Sequence, residues 1–315
     1  MRVEVQAWFD SHTWHEPAWD LPELLSAKGS RTVSVVLPAL DEQETVTGVV
    51  GAVLPLLGSL VDEVVVLDSG STDATRERAA TAGARVVTRE QAVPGLATVP
   101  GKGEVLWRSL AATTGDMLVF LDSDLVEVDG GFVPALLGPL LTTRGTALVK
   151  GFYRRPLRVE GEQSETGGGR VTELMARPLL AALRPELAGV IQPLGGEYAA
   201  TRELLESVPF APGYGVEIGL LLDTHARFGL DAVAQVNLGV RKHRHRSLLQ
   251  LGVMSRQILG TALRRCGVND DGGALTQFHQ HGAVWEGAQH PVALQDRPPM
   301  RELRSAATTV GPWGT

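Results

Sequence analysis

The first half of the chain alternates short apolar runs with segments of helical periodicity. Residues 33–37, 64–67, 85–88 and 117–121 are brief and mostly rich in valine, as buried strands are. Between them, 46–57, 74–82 and 104–112 repeat apolar side chains at helical spacing, the first ending near Pro55. Strand–helix–strand, repeated, predicts an α/β fold: a parallel sheet with helices on both faces, doubly wound as in nucleotide-binding halves. The second half is less regular. Segments 132–141, 171–183, 216–228 and 248–265 read as helices, 147–152 and 232–238 as strands, and 161–169 as a polar glycine-rich loop. Past Cys266 the periodicity weakens and Gly, Pro and Gln accumulate, so a loosely structured tail is expected. The pattern divides into an extension (1–30), a first α/β half (31–145), a second half closed by a helix (146–266) and the tail (267–315).

Composition narrows the function classes. With 315 residues, 43% apolar and 21% charged, the chain can bury a core of one or two domains. Its net charge of −7 argues against a nucleic-acid-binding face. One cysteine, Cys266, excludes an intrachain disulfide framework. The longest uncharged run is 17 residues and contains three glycines and a proline, so it reads as a buried helix rather than a membrane span. The first ten residues alternate charge and apolarity, unlike a signal peptide; a cytoplasmic protein is expected.

In open parallel sheets, ligands bind beyond the carboxyl ends of the strands. The first, second and fourth expected strands are followed there by acidic residues: Asp41-Glu42, then Asp68 and Asp73, then Asp122-Ser123-Asp124. The last motif is the strongest. On an extended segment, positions i and i+2 face one way, and two hard carboxylates suit Mg²⁺ or Mn²⁺ on a diphosphate. An Asp capping the next helix is the plainer reading. The segment Gly101-Lys102-Gly103 completes neither a dinucleotide fingerprint nor a P-loop. Gly167-Gly168-Gly169-Arg170-Val171-Thr172 enters a helix and could hold an anion on its backbone amides, or be a flexible loop. The basic run at 241–246 offers anion donors and an imidazole ligand, or only a solvated charge run. Glu217, on an apolar helix, needs a partner such as a sugar hydroxyl or a buried cation.

Taken in order, Pro38-Ala39-Leu40-Asp41-Glu42, Asp68-Ser69-Gly70-Ser71-Thr72-Asp73, Gly101-Lys102-Gly103 and Asp122-Ser123-Asp124 resemble the motifs of GT-A glycosyltransferases. Gly168 to Leu174, Gln192-Pro193-Leu194-Gly195-Gly196-Glu197, Tyr214-Gly215-Val216-Glu217 and the basic run 241–246 are more specific. With them, residues 14–266 resemble the actinobacterial glucosyl-3-phosphoglycerate synthases.

That resemblance implies a GT-A, Rossmann-like, mostly parallel sheet with helices on both faces and a smaller acceptor-binding half. It implies retaining transfer of glucose from UDP-glucose to the 2-hydroxyl of 3-phosphoglycerate, a step of methylglucose lipopolysaccharide biosynthesis. By similarity, Pro38, Ala39, Leu40, Glu42 and Ser69 hold uridine. Lys102, Asp122 and Ser123 meet the donor, and Arg241 faces its diphosphate. Leu194, Tyr214 and Glu217 hold the glucose. Gly169, Arg170, Val171, Thr172 and His245 bind the acceptor, although an amide residue is expected where His245 stands. Asp124 and His243 ligate the metal, Mg²⁺ or Mn²⁺. Asp124, Glu217 and Lys102 form the catalytic group, and the family is homodimeric. The same N-terminal motifs also serve other phosphorylated or lipid-phosphate acceptors, and a non-catalytic nucleotide-sugar sensor is a further alternative.

Overall fold

The structure is a computed structural model and describes residues 1–126, 128–154, 157–159, 162–164, 169–240 and 247–310. The chain opens with α1 (Val3–His12), β1 (Thr13–Trp14) and α2 (Leu21–Lys28). The first half follows as β2 (Val33–Ala39), α3 (Val46–Val53), β3 (Glu63–Asp68), α4 (Thr75–Thr81), β4 (Arg85–Thr88), α5 (Arg89–Ala92), α6 (Lys102–Ala112) and β5 (Met117–Phe120). Then come α7 (Phe132–Thr142), β6 (Leu148–Arg154) and a small hairpin of β7 (Leu157–Val159) and β8 (Glu162–Ser164). A π-helical turn, Thr172–Ala176, runs into α8 (Arg177–Leu183), followed by β9 (Tyr198–Thr201) and α9 (Arg202–Ser207). α10 (Val216–Phe228), β10 (Val233–Val240) and α11 (Leu248–Arg265) complete the second half. The C-terminal part forms β11 (Leu275–His281), β12 (Val284–His290) and α12 (Met300–Val310).

Eight strands make one sheet in the order β1-β10-β6-β9-β5-β2-β3-β4. All neighbours are parallel except β9, which runs antiparallel between β5 and β6 and joins the two halves. Alternation places successive side chains in two cores. Met117 and Val119 of β5 enter one with Val33, Val35 and Val66; Leu118 and Phe120 enter the other with Trp107, Tyr198 and Ile218. Burial on both faces is why these strands carry few polar positions.

Three expectations need correction. Helix 46–57 stops at Val53 and tightens into a 3₁₀ turn where Pro55 interrupts the pattern. Helix 171–183 contains the π turn. The tail is not loosely structured: it pairs β11 with β12 and returns to the body of the protein. Phe210 and Arg297 exchange backbone hydrogen bonds of 3.0 and 2.9 Å, and Trp107 Nε1 donates to the Pro298 carbonyl at 2.8 Å.

That return closes a buried ion cluster on α6. Glu104 accepts from Arg108 at 2.6 Å and from Arg297 at 2.6 and 2.8 Å. Arg108 also donates to the carbonyls of Arg89, Val93, Leu96 and Ala97. One guanidinium therefore organises the loop that leads to Lys102. Arg108→Met should cost about 3–5 kcal/mol, because it leaves the buried Glu104 with Arg297 as its remaining guanidinium and removes the side-chain donor from the carbonyls of Arg89, Val93 and Leu96. Arg2→Met, at the exposed Arg2–Glu186 pair, should cost less than about 1 kcal/mol. Urea unfolding of both variants checks the contrast.

Candidate active site

The strand ends bring the expected donor segments together. Ser69 N donates to the Ala39 carbonyl at 2.8 Å, and Ser123 Oγ to the Pro38 carbonyl at 2.7 Å. Pro38, Ala39, Ser69, Asp122 and Ser123 thus lie on one rim, with Leu40 exposed beside them and Glu42 half-buried. The acidic residues after β2 and β3 do different work from that expected. Asp68 accepts from the amides of Gly70 and Ser71, Asp41 from Thr72 N at 2.8 Å, and Asp73 from Thr75 N at 2.9 Å. These carboxylates build loops. Asp41 holds a positive φ of 55° to do so. Asp122-Ser123-Asp124 also departs from the extended form: β5 ends at Phe120, and the motif lies in the following turn.

The centre of the site is Lys102, the first residue of α6. Its ammonium lies 2.5 Å from Asp122 Oδ1 and 2.8 Å from Glu217 Oε1. Burial pulls its pKa down, but the two carboxylates outweigh this and hold the ammonium well above its usual range. The approach of α6 to α10 rests on glycines. A Cβ at Gly103 would strike the Ala211 carbonyl, and one at Gly101 would lie 2.8 Å from Gly213 Cα. Gly101 also has φ of 115°, open to glycine and costly to other residues. Gln257 of α11 accepts from Tyr214 N at 3.0 Å and sets the turn before Glu217.

A second buried lysine lies beside this group. Lys150, on β6, donates to the Gly195 carbonyl at 2.6 Å, and its ammonium sits 4.9 Å from the Tyr198 ring centroid. Burial lowers its pKa to about 8, with the Glu217 charge opposing. Residues 191–196 form a shelf outside the sheet, and side chains satisfy its backbone. Gln235 accepts from Ile191 N at 2.9 Å, Arg177 donates to the Ile191 carbonyl at 2.9 Å, and Lys150 holds Gly195. The shelf presses on the rim: a Cβ at Gly196 would enter the Asp122 carboxylate. Leu194, half-buried, stands on it.

Gly169, with φ of 78°, opens the helical segment in which Val171 and Thr172 are buried and Arg170 is half-buried. Asp124 is half-buried past β5. Arg241, His243 and His245 lie outside the described residues. Sequence reasoning missed Lys150, Gln257 and the Glu104–Arg297 tie. Lys150 had a signal, as the one charge in the apolar run 147–153. The others arise from contacts between distant segments.

A family model described as "Glycosyl transferase family 2" matches residues 34–167. The chain is 64% identical to glucosyl-3-phosphoglycerate synthase of Mycolicibacterium smegmatis, over 94% of this chain and 98% of that relative. It superposes on crystal structures of glucosyl-3-phosphoglycerate synthase from Mycobacterium tuberculosis. One, in complex with Mg²⁺ and UDP, gives a TM-score of 0.87 at 60% identity and covers 93% of this chain and 99% of that one. Another, with Mn²⁺, UDP-glucose and phosphoglyceric acid, gives 0.86 at 61% and covers 93% and 98%. Likeness of this depth over 94% of the chain shows the family: the chain belongs to the glucosyl-3-phosphoglycerate synthase family of glycosyltransferases.

Proposed function

We propose that this protein transfers glucose from UDP-glucose to the 2-hydroxyl of 3-phosphoglycerate with retention of configuration. The observation that carries the reading is the relative at 61% identity holding Mn²⁺, UDP-glucose and phosphoglyceric acid together. Residues 31–145 form the donor half, with uridine on Pro38, Ala39, Leu40, Glu42 and Ser69. Residues 146–266 form the acceptor half, with phosphoglycerate on Gly169, Arg170, Val171, Thr172 and His245. Tyr214, Glu217 and the Leu194 backbone hold the sugar, and Arg241 faces the diphosphate.

The residues present fit a divalent cation of the Mg²⁺ or Mn²⁺ kind. Among the described residues, no three His, Cys, Asp or Glu side chains converge as a closed protein cage. Asp122 is paired with Lys102; Asp124 is the hard carboxylate that the resemblance assigns to the cation, with His243 beyond the described residues. Such a set suits a cation completed by substrate oxygens. Held by Asp124 and His243, it would supply positive charge against the departing diphosphate. Lys102 adds a fixed ammonium to that field and holds Asp122 and Glu217 in place. Glu217, paired with Lys102 at 2.8 Å, grips the sugar hydroxyls in this reading. The acceptor hydroxyl then attacks on the leaving-group face, and a donor phosphate oxygen takes its proton.

A homodimer in the cytoplasm, serving methylglucose lipopolysaccharide synthesis, completes the reading. The hairpin of β11 and β12 supports the dimer, because Phe278, Val284 and Trp285 are each at least 60% exposed. No helix of the described residues is long and apolar enough to cross a membrane.

Incubation with UDP-glucose, 3-phosphoglycerate and Mg²⁺ should release UDP only when acceptor is present, and EDTA should stop it. Asp124→Ala should cut turnover by roughly a hundredfold or more while keeping the wild-type melting temperature. Acceptor-independent release refutes the acceptor, and a covalent glucosyl-enzyme trapped with a fluorinated donor refutes front-face attack. Lys102→Met removes the ammonium that both Asp122 and Glu217 contact. It should lose both turnover and about 3–5 kcal/mol of stability, read by kinetics and urea unfolding. Trp285→Asp should give a monomer by sedimentation; an unchanged dimer removes the hairpin from the interface.

A further inference from the structure

The shelf 191–196 raises a question that the donor reading leaves open. Its backbone groups belong to no strand ladder, yet they must be satisfied and held still beside Asp122. Gly195 is the tightest point. A Cβ there would lie 3.0 Å from the Gly151 carbonyl, and Gly196 is already against the Asp122 carboxylate. The Gly195 carbonyl is met by Lys150, which is 2% exposed. Placing an ammonium there is costly, and a Met or Leu on β6 would pack the same space without desolvating a charge. What offsets the cost is local: a 2.6 Å hydrogen bond, the Tyr198 ring face, and the charges of Glu217, Glu197 and Asp122 around it. Lys150 faces Tyr198 across the β6–β9 pair, so its head is fixed by the sheet.

We infer that Lys150 is a positioning residue for the sugar of the donor: by holding the Gly195 carbonyl it fixes the backbone of Leu194 and Gly196 at the glucose, without itself touching substrate. This rests on the donor reading above. It separates the two ends of the donor in a way that can be measured. The nucleotide rim is built on β2, β3 and the turn after β5, and its contacts run through Ser69, Asp68, Asp41 and Ser123. None of these hydrogen bonds involves Lys150. The shelf meets the rim at Asp122 through Gly196, while the uridine side at Pro38, Ala39 and Ser69 is held by its own hydrogen bonds, so loosening the shelf harms what the enzyme does with glucose far more than what it does with UDP.

The test compares Lys150→Met with the wild type in two measurements with Mg²⁺ present: calorimetric binding of UDP, and kcat/KM for UDP-glucose with saturating 3-phosphoglycerate. The expected result is UDP affinity within about threefold of wild type and kcat/KM lower by roughly tenfold or more. Lys150→Gln, polar and close in size, gives the same comparison if the Met variant does not fold. Equal losses of UDP binding and of kcat/KM overturn the inference, since a merely structural lysine would weaken both ends. Wild-type kcat/KM in a folded variant also overturns it. A wild-type protein that binds UDP but transfers no glucose refutes the donor reading instead, and this inference with it.

Discussion

The ammonium of Lys102 is the constraint on which the rest of the site depends. Asp122 belongs to the turn after β5 and Glu217 to the first turn of α10, so a single charge ties together three elements from both halves of the chain. Two carboxylates side by side repel each other. With the Lys102 ammonium between them that repulsion is offset, and both oxygens are held on one donor. The geometry is costly elsewhere, because α6 must approach the 211–215 segment so closely that Gly101 and Gly103 have no room for a side chain. Strain-tolerant glycines and a buried ion group are thus two sides of one requirement.

Support for Lys102 comes from further along its own helix. Glu104, two residues on, is gripped by Arg108 and Arg297, and Arg108 spends its remaining donors on the loop that delivers Gly101. Arg297 arrives from the C-terminal segment, which is held by its backbone exchange with Phe210, one residue before Ala211. The strap therefore touches both components that must meet at Lys102: α6 through Glu104, and the 211–215 segment through Phe210. Preorganisation of this kind reduces the reorganisation needed when substrate arrives.

Much of this was legible in the sequence, and what was not has physical reasons. Strands β2 to β5 and helices α10 and α11 announce themselves because burial on one or both sides leaves strong periodicity. β9 escaped reading because four residues, Tyr198–Thr201, carry too short a pattern, although they weld the sheet together. The tail misled because a hairpin with exposed Phe278 and Trp285 lacks the buried face that periodicity reports. Among site residues, Asp122 stood out at a strand end and Glu217 on an apolar helix, while Lys102 came forward through the resemblance alone. Their mutual pairing did not stand out, since Lys102 meets residues 20 and 115 positions downstream only in the fold. The acidic loops gave the opposite error: carboxylates that looked like ligands turn out to cap their own turns.

Charge placement makes sense of a protein that carries −7 overall and is proposed to bind two anionic substrates. Global charge opposes their approach, so the positive groups must be local and held. Asp41, Asp68 and Asp73 spend their negative charge on backbone amides in loops, where hydrogen bonds stabilise it. Lys102 and Lys150 lie in the interior beside Asp122 and Glu217, where desolvation makes each charge count for more than on the surface. In the proposed function, Arg170 serves the acceptor and Arg241 of the basic run the diphosphate. The outcome is a site centre in which two lysines lie among Asp122, Glu197 and Glu217 before substrate binds. A diphosphate entering such a site meets fixed cations rather than mobile ones, and that is what a leaving group developing negative charge requires.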